Sequence, residues 1–301
     1  MMDPIKLRAA RQAIAEADAV LIGAGAGLST SAGLTYTGRR FAQYFADFIA
    51  CYHFPDMYVG GFYAFPTPQE YWAYWSRYIF INRYHKAPKP VYDRLRALVA
   101  GKDVFVLTTN VDHQFQLAGF DKQRLFYTQG DYGLWQCAKP CHPRTYDNRD
   151  VVTKMVQAQG FRLSENGLEP PDPADLIRSV PAELVPHCPV CGRPMTMNLR
   201  ADHTFVEDAG WHAAYRRYVS FLQRTAKARI VYLELGVGFN TPGIIRYPFE
   251  QFAFQGKHAT LIRLNQQDAE LPSALAHKGV GLQGDIGSIL QALSPTEEGT
   301  A

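Results

Sequence analysis

Ala19-Val20-Leu21-Ile22-Gly23-Ala24-Gly25-Ala26-Gly27-Leu28-Ser29 carries a short apolar run straight into alternating glycines and alanines. The run reads as a buried strand, and the glycines read as the tight turn after it. Leu28-Ser29-Thr30-Ser31-Ala32-Gly33-Leu34 then opens a helix. Strand, glycine-rich turn and helix form the first unit of a dinucleotide-binding sheet, in which glycines admit a pyrophosphate close to the backbone. A strand-to-helix turn without a ligand would use the same glycines. The spacing departs from G-x-G-x-x-G, and no acidic residue ends a second strand about twenty positions on, which disfavours an ordinary hydride-transfer enzyme. No Gly-Lys-Ser/Thr follows, which disfavours a kinase-like phosphate loop.

Outward from this unit, the pattern repeats. Ile5 to Ala17 is spaced as a helix behind Pro4. Val91, Leu95, Leu98 and Val99 mark another, ended by Gly101. Strands are predicted over residues 103–109, 229–235 and 259–265, with a last helix over 286–293. The second glycine turn, Gly236-Val237-Gly238, also ends a strand, so two such turns can face one crevice. The fold class is α/β, a Rossmann-like parallel sheet.

Two stretches interrupt that sheet. Residues 41–84 hold 17 of the 39 aromatic residues, a density that demands a second small core or a pocket lining. Residues 134–210 hold Cys137, Cys141, Cys188 and Cys191, while Cys51 stands alone. Pairs at this spacing, in a chain without a secretory signal, match one structural zinc bound by four thiolates. A disulfide, or a site that recruits His142 or His187, is the alternative. The chain divides into a sheet-bearing part (residues 1–34, 85–133 and 211–301), a helical aromatic-rich insertion (35–84) and a zinc module (134–210). A net charge of +3 is too mild to imply nucleic acid. No apolar run approaches the ~20 residues of a membrane span, and the charged start lacks an apolar leader. A cytoplasmic protein without membrane or nucleic-acid partners is expected.

Five segments carry a family resemblance. Gly25-Ala26-Gly27-Leu28-Ser29-Thr30-Ser31-Ala32-Gly33 resembles the Gly-Ala-Gly-x-Ser…Gly phosphate loop of the sirtuins. Thr108-Thr109-Asn110-Val111-Asp112 resembles their Thr-Gln-Asn-Ile/Val-Asp motif, with Thr109 in place of Gln. Gly236-Val237-Gly238 stands where they have Gly-Thr-Ser. Asn265 is similar to the asparagine that meets the adenosine ribose, and Gly284-Asp285-Ile286 to the segment beside the adenine. The resemblance covers nearly the whole chain and makes NAD the implied co-substrate. It departs in two places. Thr35-Tyr36-Thr37-Gly38-Arg39-Arg40-Phe41 replaces Pro-Asp-Phe-Arg, and Gln129 occupies the position of the catalytic histidine. This combination resembles the macrodomain-linked, class M sirtuins, which implies protein ADP-ribosyl transfer. Their implied partners are a lipoyl-carrier acceptor like the glycine-cleavage H protein and a macrodomain hydrolase that reverses the mark.

The substitution has a chemical meaning. A histidine titrates near neutral pH and can take a proton from a ribose hydroxyl, as deacylation requires. A neutral amide such as Gln129 orients by hydrogen bonds but is not a base. The resemblance assigns Asn110, Asp112 and Gln129 to catalysis. To NAD it assigns Gly25, Ala26, Gly27, Ser29, Tyr36, Arg40, Gly236, Val237, Gly238, Asn265, Asp285 and Ile286 with those three. A sirtuin-type deacylase and a non-catalytic NAD or ADP-ribose sensor remain the alternatives. His113 reads as an incidental histidine beside a turn.

Overall fold

A computed structural model describes residues 3–165, 167–239 and 242–294. The strands are β1 (Ala19–Ala24), β2 (Asp103–Thr108), β3 (Leu125–Tyr127), β4 (Gly130–Cys137), β5 (Tyr146–Asp147), β6 (Arg162–Ser164), β7 (Gly167–Glu169), β8 (Met195–Leu199), β9 (Ile230–Leu235), β10 (Ala259–Asn265) and β11 (Gly279–Gln283). Six of them form one parallel sheet in the order β11-β10-β9-β1-β2-β3. The α/β reading holds, and β3 and β11 extend it at either edge. Every residue of β1 is buried, as expected of a central strand covered on both faces.

The order places a reversal at β1. The chain leaves β1 for β2 and β3 on one side, then returns to β9 on the other. Ala24, the last residue of β1, pairs with Thr108 and with Leu235. The crevice beyond these three strand ends is therefore the topological switch point, where open α/β sheets place their ligands.

One apolar cluster packs α1 (Pro4–Glu16), the segment after β1 and the last helix against one face of the sheet. A second covers the opposite face. A third, separate cluster holds the aromatic segment, and it is the small core that the density of rings demands. The helices there span Gly38–Tyr52, Met57–Gly61 and Pro68–Ile79, followed by a π-turn at Phe80–Tyr84. Thr67 caps the Pro68 helix by accepting the Glu70 N–H, with Pro68 at its first turn. Ring pairs such as Phe45–Tyr74 and Trp75–Tyr78, both 4.7 Å apart, tie these helices together. The fully buried Arg77 donates to both Asp47 oxygens at 2.6 and 2.9 Å and to the carbonyls of Tyr44 and Ile177. Trp72 meets Trp135 of β4 at 5.0 Å, joining the aromatic helices to the antiparallel sheet β5-β4-β8 beside the cysteines. No described helix is long and apolar enough to cross a membrane.

Candidate active site and metal centre

The two glycine turns meet at the switch point. Gly25 N–H donates to Leu235 O, and Gly27 N–H donates to Gly236 O, both at 3.0 Å. A Cβ on Gly27 would lie 2.7 Å from Gly236 Cα and 3.0 Å from its carbonyl oxygen. Gly236 has φ +60° and presses on the backbone of Gly27 and Leu28, so neither position tolerates a side chain. Glycine is thus required at 27 first by the opposing turn, not only by a ligand's path. Asn265, at the end of β10, donates to Val237 O at 3.0 Å and holds the same turn from the other side. Gly238 has open space around it.

The Asn110–Asp112 turn closes the crevice over β2. Asn110 Nδ2 donates to Gly25 O at 3.0 Å and to Ser29 Oγ at 3.1 Å. Ser29 Oγ donates to Asp112 Oδ2 at 2.5 Å and lies 2.9 Å from the Tyr92 hydroxyl. All four side chains are buried. Burial pushes the Asp112 carboxyl up, and the Ser29 and Gln114 hydrogen bonds only partly oppose it. Tyr92 sits on the helix Val91–Leu98 and is not among the residues singled out from the sequence.

Gln129 lies on the other side of this turn. It is half-buried, and its carbonyl accepts the Arg200 N–H at 3.0 Å. Its amide makes no hydrogen bond among the described residues. It lines a cleft of about 610 Å³ with Tyr36, Thr109, Val111, Trp75 and Tyr132. Val111 lines this cleft while Asn110 and Asp112 bond to Ser29, so neighbouring residues of one short turn serve the cleft and the buried Ser29 cluster. Tyr36 OH is 3.4 Å from Tyr132 OH, which donates to Tyr78 OH at 3.3 Å. Thus the aromatic segment supplies both a core and one cleft wall. Tyr58 and Phe62 stay exposed at the rim.

Other residues lie elsewhere. Arg40 donates to the carbonyls of Thr35 and Ile81 at 3.0 and 2.8 Å, so its guanidinium braces backbone. It lines a separate cavity with Arg39, His85 and Lys86. Asp285 caps the last helix, Ile286–Leu293, by accepting the Ser288 N–H, and it accepts Ser31 Oγ at 2.7 Å. Burial opposes the Asp285 charge, yet these hydrogen bonds hold its carboxyl below the usual range. The Ile286 side chain is buried in the sheet core. His113 is not an incidental surface histidine. Its Nδ1 lies 2.8 Å from the buried Asp131, which also takes Arg83.

The ligand atoms of Cys137, Cys141, Cys188 and Cys191 lie within 4.8 Å of one another. The Cys137–Cys191 and Cys141–Cys188 sulfurs are 3.6 and 3.7 Å apart, far beyond a disulfide bond. Tetrahedral zinc with bonds of about 2.3 Å spaces sulfurs by about 3.8 Å, so these residues fit the ion. Burial raises the Cys188 thiol, but the N–H groups of Cys191 and Val190 outweigh it and bring it down to about 7. His187 Nδ1 lies 2.9 Å from Val185 O, away from the sulfurs, whereas His142 places Nε2 2.8 Å from the Tyr146 hydroxyl and Nδ1 3.0 Å from Cys141 Sγ, beside a ligand. A closed four-thiolate site is structural.

A parallel sheet with paired glycine turns at its switch point, an Asn-Asp turn above them and a four-thiolate knot is the architecture of the sirtuin fold. Solved structures share it. One from work on the mechanism and regulation of Sir2 enzymes aligns over 97% of each chain at a TM-score of 0.54 and 16% identity. A Sir2 structure with a p53 peptide and NAD+ aligns over 95% of each at 0.51 and 16%. Searched against family models, the chain matches none. A protein ADP-ribosyltransferase of Staphylococcus aureus strain Mu50 is 37% identical over 281 residues, covering 93% of this chain and 84% of that protein. A probable bifunctional ADP-ribose hydrolase/ADP-ribosyltransferase of Fusarium oxysporum is 31% identical over 95% of this chain, which spans about half of that longer protein. The chain belongs to the sirtuin-family protein ADP-ribosyltransferases.

Proposed function

We propose that the crevice binds NAD across the two glycine turns and that the chain transfers its ADP-ribose to a protein acceptor entering through the Gln129 cleft. Asn110 and Asp112 would hold the nicotinamide carboxamide on the Ser29 side of the turn. The bond from the ribose C1 to nicotinamide breaks, and nicotinamide leaves with the electron pair. A nucleophile of the acceptor then bonds to the same carbon. If that nucleophile is neutral, its proton passes to solvent or to a nearby acceptor.

The observation that carries this reading is the position of Gln129, a neutral amide whose side chain has no hydrogen bond among the described residues, in a cleft one turn away from the Asn110–Asp112–Ser29 cluster. It can orient a ribose or an acceptor but not deprotonate a hydroxyl. The cleft is lined by tyrosines, Trp75 and Met197, which suits an apolar arm such as the lipoyl group of a carrier like the glycine-cleavage H protein. A macrodomain hydrolase would reverse the mark. The reaction would take place in the cytoplasm, where the four thiolates stay reduced.

The test uses labelled NAD with carrier proteins, with and without lipoylation, and scores labelled acceptor and released acyl-ADP-ribose separately. Gln129→Ala should lower transfer by an amount comparable to one hydrogen bond, on the order of 1–3 kcal/mol. Asn110→Ala should cost more, because nicotinamide departure precedes every outcome. Gln129→His should give at most weak deacylation. Efficient peptide deacylation by the wild type without transfer to any protein would overturn the reading.

A further inference from the structure

Asp131 stands two residues after Gln129, at the start of β4, and it is 4% exposed. Its two oxygens collect three segments of chain. Oδ1 accepts Arg83 Nε at 2.5 Å, from the π-turn of the aromatic module, and the Gly133 N–H at 2.7 Å. Oδ2 meets His113 Nδ1 at 2.8 Å. His113 follows Asp112 directly and holds a left-handed backbone, φ +63°, which costs a non-glycine residue energy unless its surroundings fix it. Its imidazole does not line the Gln129 cleft. It borders a separate small cavity with Thr108, Tyr127 and Asp131.

From this geometry we infer that His113 is a positioning residue, whose Nδ1–Asp131 bridge locks the Asn110–Asp112 turn to the strand that directly follows Gln129. The inference rests on the proposed roles of Asn110, Asp112 and Gln129. A buried carboxylate paired with Arg83 is a fixed post, since that ion pair is largely withdrawn from solvent. His113 ties the turn to that post and carries the backbone strain at the junction. Without the tie, the turn between the cleft and the Ser29 cluster is free to shift, and misplacement of about an ångström at reacting groups lowers rate far more than binding.

Substitutions at 113 separate this role from the alternatives. Asn, Asp and Gly all tolerate left-handed backbone. Asparagine places a donor nitrogen at the same δ position as the histidine nitrogen and has no ε nitrogen. Aspartate has the same shape but sets a carboxylate against Asp131, and glycine removes the bridge alone. The assay is nicotinamide release from NAD by the full-length chain, with kcat and KM for NAD measured separately and folding followed by circular dichroism. His113→Asn should stay within about threefold of wild-type kcat. His113→Gly and His113→Asp should lose about tenfold or more in kcat with KM for NAD within about threefold. If the glycine variant does not fold, the Asn–Asp pair alone decides. Wild-type kcat in His113→Gly, or equal rates for the Asn and Asp variants, overturns the inference. An Asn variant as slow as the Gly variant also overturns it, because the ε nitrogen would then be needed for acid–base work. If the wild type releases no nicotinamide, the functional reading falls and this inference with it. If the wild type turns over and His113→Gly matches it, only the inference falls.

Discussion

Gly27→Val is the most direct probe of the paired turns. An added Cβ begins 2.7 Å from Gly236 Cα, whereas ordinary contact starts at 3.4 Å. The turns must therefore part by about 0.7 Å, a shift that forfeits packing on both sides. Overpacking of this kind costs about 1–3 kcal/mol. Losing the 3.0 Å bond from Gly27 N–H to Gly236 O adds about 1 kcal/mol. The expected loss is about 2–4 kcal/mol of stability. NAD would have to restore the turn geometry on binding, so affinity should fall by at least about tenfold, or about 1.4 kcal/mol. Urea unfolding gives the first quantity and titration calorimetry with NAD the second. Gly238→Ala is the control, because its Cβ meets nothing within 4 Å and should leave stability unchanged. Unaltered stability of Gly27→Val would refute the close contact. A destabilised variant with wild-type NAD affinity would instead show that these turns only pack against each other.

Asp112→Asn should stabilise the chain while abolishing most nicotinamide release. Burial raises this carboxyl, with the Asp131 charge contributing, so the fold favours its protonated form. That preference supports stability below the unfolded value of 3.8 and is lost as pH rises through the higher folded value. The variant's advantage in thermal melting should therefore be present at about pH 7 and vanish towards about pH 3; a variant less stable than wild type at neutral pH would contradict it. Metal analysis should find one zinc per chain, and Cys188→Ser or chelation should lower the melting temperature. Cys51→Ser, at an exposed site, should change neither zinc content nor melting.

The central sheet was legible because β1, β2, β9 and β10 are apolar runs that end in glycine or asparagine, so pattern and punctuation agree. β3 and β11 were not read as strands. Leu125–Tyr127 is three residues long, and Gly279–Gln283 holds two glycines on a sheet edge, where propensity says little. Of the cofactor residues proposed from the resemblance, the structure brings Gly25, Gly27, Ser29, Asn110, Asp112, Gly236, Val237 and Asn265 into one bonded set. It gives Arg40 to backbone carbonyls and the Ile286 side chain to the core. Tyr92, Asp131 and Arg83 gave no local signal, since Tyr92 meets Ser29 across 63 residues of sequence, and Asp131 meets Arg83 across 48 and His113 across 18.

The arrangement also keeps the Gln129 position apart from the bonds that hold the crevice. The glycine turns and Asn265 are bonded to one another across β1, β9 and β10, and none of those bonds involves Gln129. Gln129 lies in the turn just before β4, whose strand packs through Trp135 on the aromatic helices. Changes on that side can reshape the Gln129 cleft without breaking those bonds. One covalent link between the sides is the segment from Thr108 to Gly130, and its excursion is pinned at both ends. Thr128 N–H donates to Thr108 O at 2.9 Å, and Tyr132 N–H to Val111 O at 2.9 Å. Exchange of amide hydrogens should therefore show the Asn110–Asp112 turn as protected as the sheet, and a turn that exchanges like a free loop would argue against this rigid partition.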